Sequence, residues 1–248
     1  MLENKQEQPA VIIEHLTKKF GDFTAVDDIS FTVNKGEIFG FLGANGAGKS
    51  TTIRMLCGIL KPTSGRGIVG GVDISKTPEK VKAFIGYMSQ KFSLYDDLTI
   101  EENLNFFAGI YGVRNRKEAV KKAIKSADLT GKEKKITGSL PVGWKQRLSL
   151  ASAVMHGPSI LFLDEPTSGV DPITRRKFWE TIRKLAEDGT TVFVTTHYMM
   201  EAEYCDRLSI MRAGKVIAIG SPNKLKQNNK KDSLEDVFVS LVQKGVDQ

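Results

Sequence analysis

Gly43-Ala44-Asn45-Gly46-Ala47-Gly48-Lys49-Ser50 follows the apolar run Ile38-Phe39-Gly40-Phe41-Leu42 and leads into Thr51-Thr52-Ile53-Arg54-Met55-Leu56. The spacing G-x-x-x-x-G-K-[ST] carries a mechanism when a strand precedes it and a helix follows. Both conditions are met in the pattern: an apolar strand at 38–42, and a helix expected from about Lys49 to Leu60 that stops at Pro62. Glycines let the main chain wrap closely enough for successive N–H groups to face one anion. The helix N-terminus adds its partial positive charge at the same place. Gly43, Ala44, Asn45, Gly46, Ala47, Gly48 and Thr51 are therefore expected to cradle phosphate, with Lys49 reaching the β- and γ-phosphates of a nucleotide. The Ser50 hydroxyl is the expected Mg²⁺ ligand.

The chain has 248 residues, enough for one large domain with a substantial core. Lys and Arg number 36 against 29 Asp and Glu, a net +7. Several of the positive charges fall in Lys117–Lys135 and Lys224–Lys231, a balance that suits nucleic acid, acidic headgroups or a solvated surface. Cys57 and Cys205 are far apart and fit no disulfide or metal spacing, which reads as buried thiols in a reducing cytosol. His15, His156 and His197 form no ligand pattern either. No apolar run is long enough to span a membrane, and the residues from Met1 to Pro9 are polar rather than signal-like.

Strands are expected at Val11–Ile13, Ile29–Val33 and Ile38–Leu42, and a strand-like stretch at Gly67–Ile74. From Thr99 the pattern becomes helical. Thr99 with Glu102 is a capping box leading into Leu104, Phe106, Phe107 and Ile110, and further helices follow at Glu118–Leu129 and Lys145–His156. Ile160–Leu163 then suits a buried parallel strand. A helix over Pro172–Asp188, a strand over Thr190–Thr196, a hairpin of Leu208–Met211 with Val216–Ile219, and a helix from Ser233 to Leu241 complete the chain. The expected architecture is α/β, a P-loop NTPase core with an N-terminal antiparallel β-subdomain and an inserted α-helical subdomain. As one domain over 1–248, its core lies at about 10–90 and 158–222, the helical subdomain at about 91–157 and a C-terminal extension at 223–248.

Ile160-Leu161-Phe162-Leu163-Asp164-Glu165 is four apolar residues ending in two acids. Asp164, at the strand's C-terminal end, comes beside the phosphate loop, where it can hold Mg²⁺, and Glu165 is then placed to polarise a water.

From here the chain resembles, over roughly residues 10 to 222, the nucleotide-binding subunit of an ATP-binding-cassette (ABC) transporter. The resemblance implies a role for Phe20 in stacking on adenine and for Gln90, in Gly86-Tyr87-Met88-Ser89-Gln90, in touching Mg²⁺ or the attacking water. It makes Ser168-Gly169-Val170-Asp171 the loop that crosses a dimer interface, and His197 the switch histidine at the γ-phosphate. With Glu165, His197 and Gln90 are the implied catalytic residues, and Ser50, Gln90 and Asp164 the implied metal site.

One motif departs from the family. Its Leu-Ser-Gly-Gly-Gln signature, which closes over ATP held by the opposite subunit, aligns with Leu140-Pro141-Val142-Gly143-Trp144. Pro141 has neither hydroxyl nor N–H to offer. Leu140, Gly143 and a helix start near Lys145 remain as an anion site with fewer donors, and Lys145 offers a compensating charge. The segments 90–99, Glu165–Pro172 and Leu234–Phe238 resemble exporters of the ABC-2 class. The implied function is an ATP-hydrolysing subunit, with ATP and Mg²⁺, on the cytoplasmic face of the cell membrane. Its implied partners are a transmembrane permease of ABC-2 type, docking beside Gln90 near Phe92, Leu94 and Tyr95, and a second ATPase subunit as homodimer or heterodimer. The alternative, a soluble ABC ATPase acting on nucleic acid or the ribosome, usually needs paired cassettes or a coiled-coil insertion, so no nucleic-acid partner is expected. The sequence also leaves open a longer polypeptide of which this chain is a fragment.

Overall fold

The computed structural model describes residues 9–244 with the exception of Phe92, and its strands form two sheets. The first holds β1 (Val11–Phe20), β2 (Phe23–Val33), β4 (Ser64–Val69) and β5 (Val72–Asp73) in the antiparallel order β2-β1-β4-β5. The hairpin β1–β2 is longer than the apolar runs at 11–13 and 29–33, because polar residues occupy its outward positions. The β1–β2 register shifts between Ile13 and Leu16, where His15 takes φ 50, and the irregularity brings Leu16 inward. The expected single strand at 67–74 is two strands, since Gly70 and Gly71 turn the chain with φ 54 and 81.

The second sheet has the order β10-β9-β3-β8-β7-β6: β3 (Ile38–Leu42), β6 (Ile85–Met88), β7 (Ile160–Asp164), β8 (Thr191–Thr196), β9 (Arg207–Arg212) and β10 (Lys215–Gly220). All its pairings are parallel except β9–β10. Every residue of β3, β7 and β8 is buried, as strands inside a parallel sheet covered on both faces require. The strand β6 and the short helix α2 (Pro78–Lys82) were not apparent in the sequence, their periods being too short to register. The phosphate-loop helix α1 (Lys49–Leu56) ends earlier than Leu60, where Gly58 takes φ 68.

One core lies between the sheets. Phe31 from the first packs on Phe39 and Phe41 of β3, which in turn meet Phe193 of β8, with ring centroids 5.2–5.8 Å apart. Each such ring contributes about 1.5–3 kcal/mol by burial. The opposite face of the second sheet is covered by α6 (Pro172–Glu187) through Phe178, Trp179 and Ile182.

Between β6 and β7 lie α3 (Ile100–Ile110), α4 (Arg116–Ser126) and α5 (Val142–Val154). The capping box at α3 is formed as read, Thr99 accepting from the Glu102 N–H and Glu102 from the Thr99 N–H. Leu104, Val120, Ile124 and Leu148 make a separate cluster for these helices. α5 is two-sided: Leu148 and Ala151 face that cluster, while Leu150 and Ala153 face the α6 side of the main sheet. The chain ends in α7 (Met199–Ala202), α8 (Pro222–Asn229) and α9 (Leu234–Lys244). Among the described residues no helix is long and apolar enough to cross a membrane.

Candidate active site

The loop between β3 and α1 is braced from outside. A Cβ on Gly43 would fall 2.6 Å from the Met211 carbonyl oxygen, and one on Gly48 2.6 Å from that of Ala25. Gly48 also has φ 106, so glycine is required there twice over. The Gly214 N–H donates to the Ala47 carbonyl at 3.1 Å, tying the loop to the β9–β10 turn. The chain segments at Ala25, Met211 and Gly214 therefore shape the cradle, which motif spacing alone does not disclose.

Lys49 is buried, and its Nζ donates to the Gly43 and Ala44 carbonyls at 2.7 and 3.1 Å. It also lies 3.5 Å from Glu165 Oε1. Burial pulls the ammonium's pKa below its usual value, and the Glu165 carboxylate opposes that shift. A phosphate entering the loop offers this ammonium anionic oxygens in place of neutral carbonyls, a stronger class of hydrogen bond.

Asp164 closes β7 fully buried. Its Oδ1 accepts from Ser50 Oγ at 2.8 Å and from Thr195 Oγ1 at 2.7 Å. Its Oδ2 is buried without a hydrogen-bond partner. A buried carboxylate oxygen is costly to leave unsatisfied. An unmatched Asp oxygen beside a serine hydroxyl is a hard, all-oxygen donor set of the kind Mg²⁺ accepts. The residues present fit that ion.

Glu165 follows in the left-handed region at φ 48, with its N–H held by Thr195 Oγ1 at 2.9 Å. A non-glycine residue there costs about 1–3 kcal/mol and persists only where its surroundings enforce it. Three groups converge on its carboxylate. Besides Lys49, Gln90 Nε2 donates to Oε2 at 3.1 Å, and His197 Nδ1 lies 3.2 Å from the same oxygen, off hydrogen-bond alignment. Lys49, Gln90 and His197 come from three separate parts of the sequence and meet within 3.5 Å of one side chain. Thr195, bonded to both acids, was not singled out from the sequence. Its signal is a pair of hydroxyls, Thr195-Thr196, directly after the apolar run Val192-Phe193-Val194.

Other predicted residues lie elsewhere. Phe20 is half exposed at the β1–β2 turn, opposite the still more exposed Phe23, with the Lys18 ammonium 4.9 Å above its ring. Leu140 is buried in the helical cluster, so its side chain packs the lobe and is not offered to a ligand. The signature helix starts at Val142, capped by Pro141, three residues before the expected Lys145. Its free first-turn amides therefore belong to Val142 and Gly143 themselves. Gly143 abuts Thr174, a Cβ there lying 3.0 Å from the threonine methyl. Lys145 Nζ is 2.9 Å from Asp96 Oδ1, a pairing that draws its charge to the opposite loop. Trp144 packs against the helical cluster with Lys132 Nζ 4.9 Å and Lys135 Nζ 5.7 Å from its ring. Asp171 caps α6, accepting from the Ile173 and Thr174 N–H groups. Of the three expected docking residues, Phe92 lies outside the described residues, Leu94 is buried and Tyr95 is half exposed. Phe106 and Ile110 are exposed, and Phe106 packs on Tyr95 with centroids 5.0 Å apart.

The family model described as "ABC transporter" matches residues 26–168, more than half of the chain. The chain belongs to the ABC transporter family. A second model, "AAA domain, putative AbiEii toxin, Type IV TA system", matches residues 144–199. The probable multidrug ABC transporter ATP-binding protein YbhF of Escherichia coli (strain K12) is 50% identical over 248 residues, covering 97% of this chain but 43% of its own length. This ABC domain thus spans less than half of that relative. The Nod factor export ATP-binding protein I of Rhizobium sp. (strain N33) is 41% identical over 219 residues, 87% of this chain and 72% of that protein. Among solved structures, the dimeric post-hydrolysis ATP-binding cassette MJ0796, bound to ADP and Pi, superposes with TM-score 0.78 at 27% identity, covering 85% of this chain and 98% of that one. The α/β P-loop fold and the ATP-binding, ATP-hydrolysing character expected from the sequence are those of this family.

Proposed function

We propose that this ABC domain is the motor of a membrane exporter, working as one half of an ATP sandwich coupled to transmembrane subunits of ABC-2 type. The observation that carries the reading is the convergence of Lys49, Gln90 and His197 on Glu165, with Ser50 and Asp164 paired alongside. In this reading Lys49 and the loop amides bind the β- and γ-phosphates. Gln90 and His197 hold water and γ-phosphate in line, and Glu165 accepts the water's proton as the new P–O bond forms and the bond from the γ-phosphorus to the bridging oxygen breaks, releasing ADP. Ser50, Asp164 and Gln90 would hold Mg²⁺, which when bound neutralises charge on the phosphates. Phe20, with Phe23 beside it, is the stacking platform for adenine, and the Val142 and Gly143 amides face the γ-phosphate held by a second cassette.

Export is supported by the relatives, one named for multidrug transport and one for Nod factor export. A permease docking at the membrane is supported by Tyr95, Phe106 and Ile110, which expose apolar surface beside the Gln90 loop's exit. The dimer is supported by the likeness to MJ0796. The test is Glu165→Gln: the amide cannot take the proton, so ATP affinity is kept, turnover stops, and ATP with Mg²⁺ accumulates a dimer. A Glu165→Gln protein that still turns over, or stays monomeric at saturating ATP, would falsify this assignment.

A further inference from the structure

Glu201 in α7 is a buried carboxylate with no part in the proposed chemistry. Both its oxygens are engaged. Oε1 accepts from Thr167 Oγ1, and Oε2 accepts from Thr196 Oγ1 at 2.7 Å. Thr167 and Thr196 are buried too. Thr196 Oγ1 itself accepts the Tyr198 N–H at 2.9 Å, so its own proton is committed to Glu201. Thr167 stands two positions after Glu165, and Thr196 immediately precedes His197. Glu201 therefore grips, with its two oxygens, the two chain segments whose side chains meet at 3.2 Å in the site.

Arg175 extends the arrangement. Its Nε lies 3.4 Å from Glu201 Oε1, and another guanidinium nitrogen donates to the Val170 carbonyl, in the Ser168–Asp171 loop, at 3.2 Å. The guanidinium also sits 4.5 Å over the Tyr198 ring, whose centroid is 4.1 Å from that of His197.

We propose that Glu201 is a positioning residue: it sets the separation of Glu165 and His197, and through Arg175 and Tyr198 it makes His197 move with the Ser168–Asp171 loop. The proposal rests on reading the site as an ATP-hydrolysing one. Charge-assisted hydrogen bonds out of contact with water are short and directional, so two of them on one carboxylate fix a distance better than apolar packing does. An amide at position 201 keeps the volume but turns one end into a donor. That end can no longer accept the threonine's proton, so the hydroxyl must turn and the charge-assisted bond there is lost.

Full-length Glu201→Gln, Arg175→Ala and His197→Ala, with the two pairwise combinations that include His197→Ala, are compared for equilibrium ATP affinity, melting temperature and single-turnover and steady-state hydrolysis. Arg175 is partly exposed, so its replacement is the fallback should Glu201→Gln not fold. The expected result for Glu201→Gln is unchanged ATP affinity and KM with kcat lower by about tenfold to a hundredfold, the scale of a sub-ångström to ångström misplacement of a reacting group. Arg175→Ala lowers kcat in the same direction by less. Neither change lowers turnover further in the His197→Ala background, because both act through that ring. A merely structural role gives weaker ATP binding and losses that multiply with His197→Ala, and either of these overturns the proposal; the melting temperature reports only whether each variant is folded. Wild-type kcat in both single variants overturns it as well. Failure of the underlying reading is separate: the unmodified chain then hydrolyses no ATP, or Glu165→Gln hydrolyses it at the normal rate.

Discussion

Pro141→Ser separates the two things that the start of α5 does. Pro141 is the N-cap, with φ −56 and ψ 149, and makes no side-chain cap. Its carbonyl already accepts the Trp144 and Lys145 N–H groups at 2.9 and 3.0 Å. A serine adopts that backbone without strain, and its Oγ can accept from the first turn while its O–H stays free to donate. The cap is worth about 1 kcal/mol. Losing the proline's rigidity costs about 0.4–1 kcal/mol through the unfolded chain. These offset, so for a chain of this size the melting temperature should stay within about 4 °C. In the proposed sandwich the new donor meets a γ-phosphate carried by the opposing cassette, and a hydrogen bond to a charged acceptor contributes about 1.5–3 kcal/mol. Part of this is spent ordering the side chain, which leaves a gain of about tenfold per site. The assay is sedimentation or light scattering over a protein-concentration series in the Glu165→Gln background, with saturating ATP and Mg²⁺. The midpoint for dimer formation should move to lower concentration while the melt is unchanged. An unmoved or raised midpoint refutes the reasoning and shows that the Val142 and Gly143 amides already satisfy the phosphate.

Lys49→Ala removes the charge proposed to reach the phosphates, so ATP affinity measured by equilibrium binding should fall by at least about a hundredfold, two charge-assisted bonds at about 1.5 kcal/mol each. Undiminished affinity sinks the phosphate-site assignment. Asn103, fully buried, donates to the Tyr95 and Thr99 carbonyls and Thr137 Oγ1 and accepts the Tyr95 N–H. Asn103→Ala orphans these groups and should destabilise the helical lobe by about 3 kcal/mol in a denaturant titration. His156 stacks on Tyr111 and donates Nε2–H to the Ile85 carbonyl, while its buried Nδ1 has no partner. Burial lowers its pKa below the ordinary histidine value, so the folded state resists the second proton. Its stabilising contribution is complete above the unfolded pKa of about 6.5 and is lost as pH falls below it. The melting temperature of His156→Gln should therefore decline less than wild type between neutral and mildly acidic pH, and parallel declines argue against this.

Local sequence was enough to determine the phosphate loop, the strands Ile38–Leu42 and Ile160–Leu163, the Thr99 capping box and the acids at 164 and 165. Each of these is a short-range pattern: a spacing of glycines, an unbroken apolar run, a cap with its partner three positions on. His197 and Gln90 were legible by resemblance, but nothing local says that both reach Glu165. That meeting is decided by strand order, which puts β8 beside β7 and brings residues 90, 165 and 197 to one end of the sheet. The same holds for the braces at Ala25 and Met211, for Thr195 between the two acids, and for Glu201 joining Thr167 to Thr196. The start of α5 was read three residues late for a different reason. Proline and glycine at 141 and 143 look like breakers in one dimension. In three, proline is a tolerated N-cap, and Gly143 supplies the room that Thr174 requires. Which face of α3 is buried was not legible either, since period alone cannot say which of two apolar stripes meets the core. Packing against α4 and α5 buries Leu104 and Ala108, and leaves Phe106 and Ile110 outside.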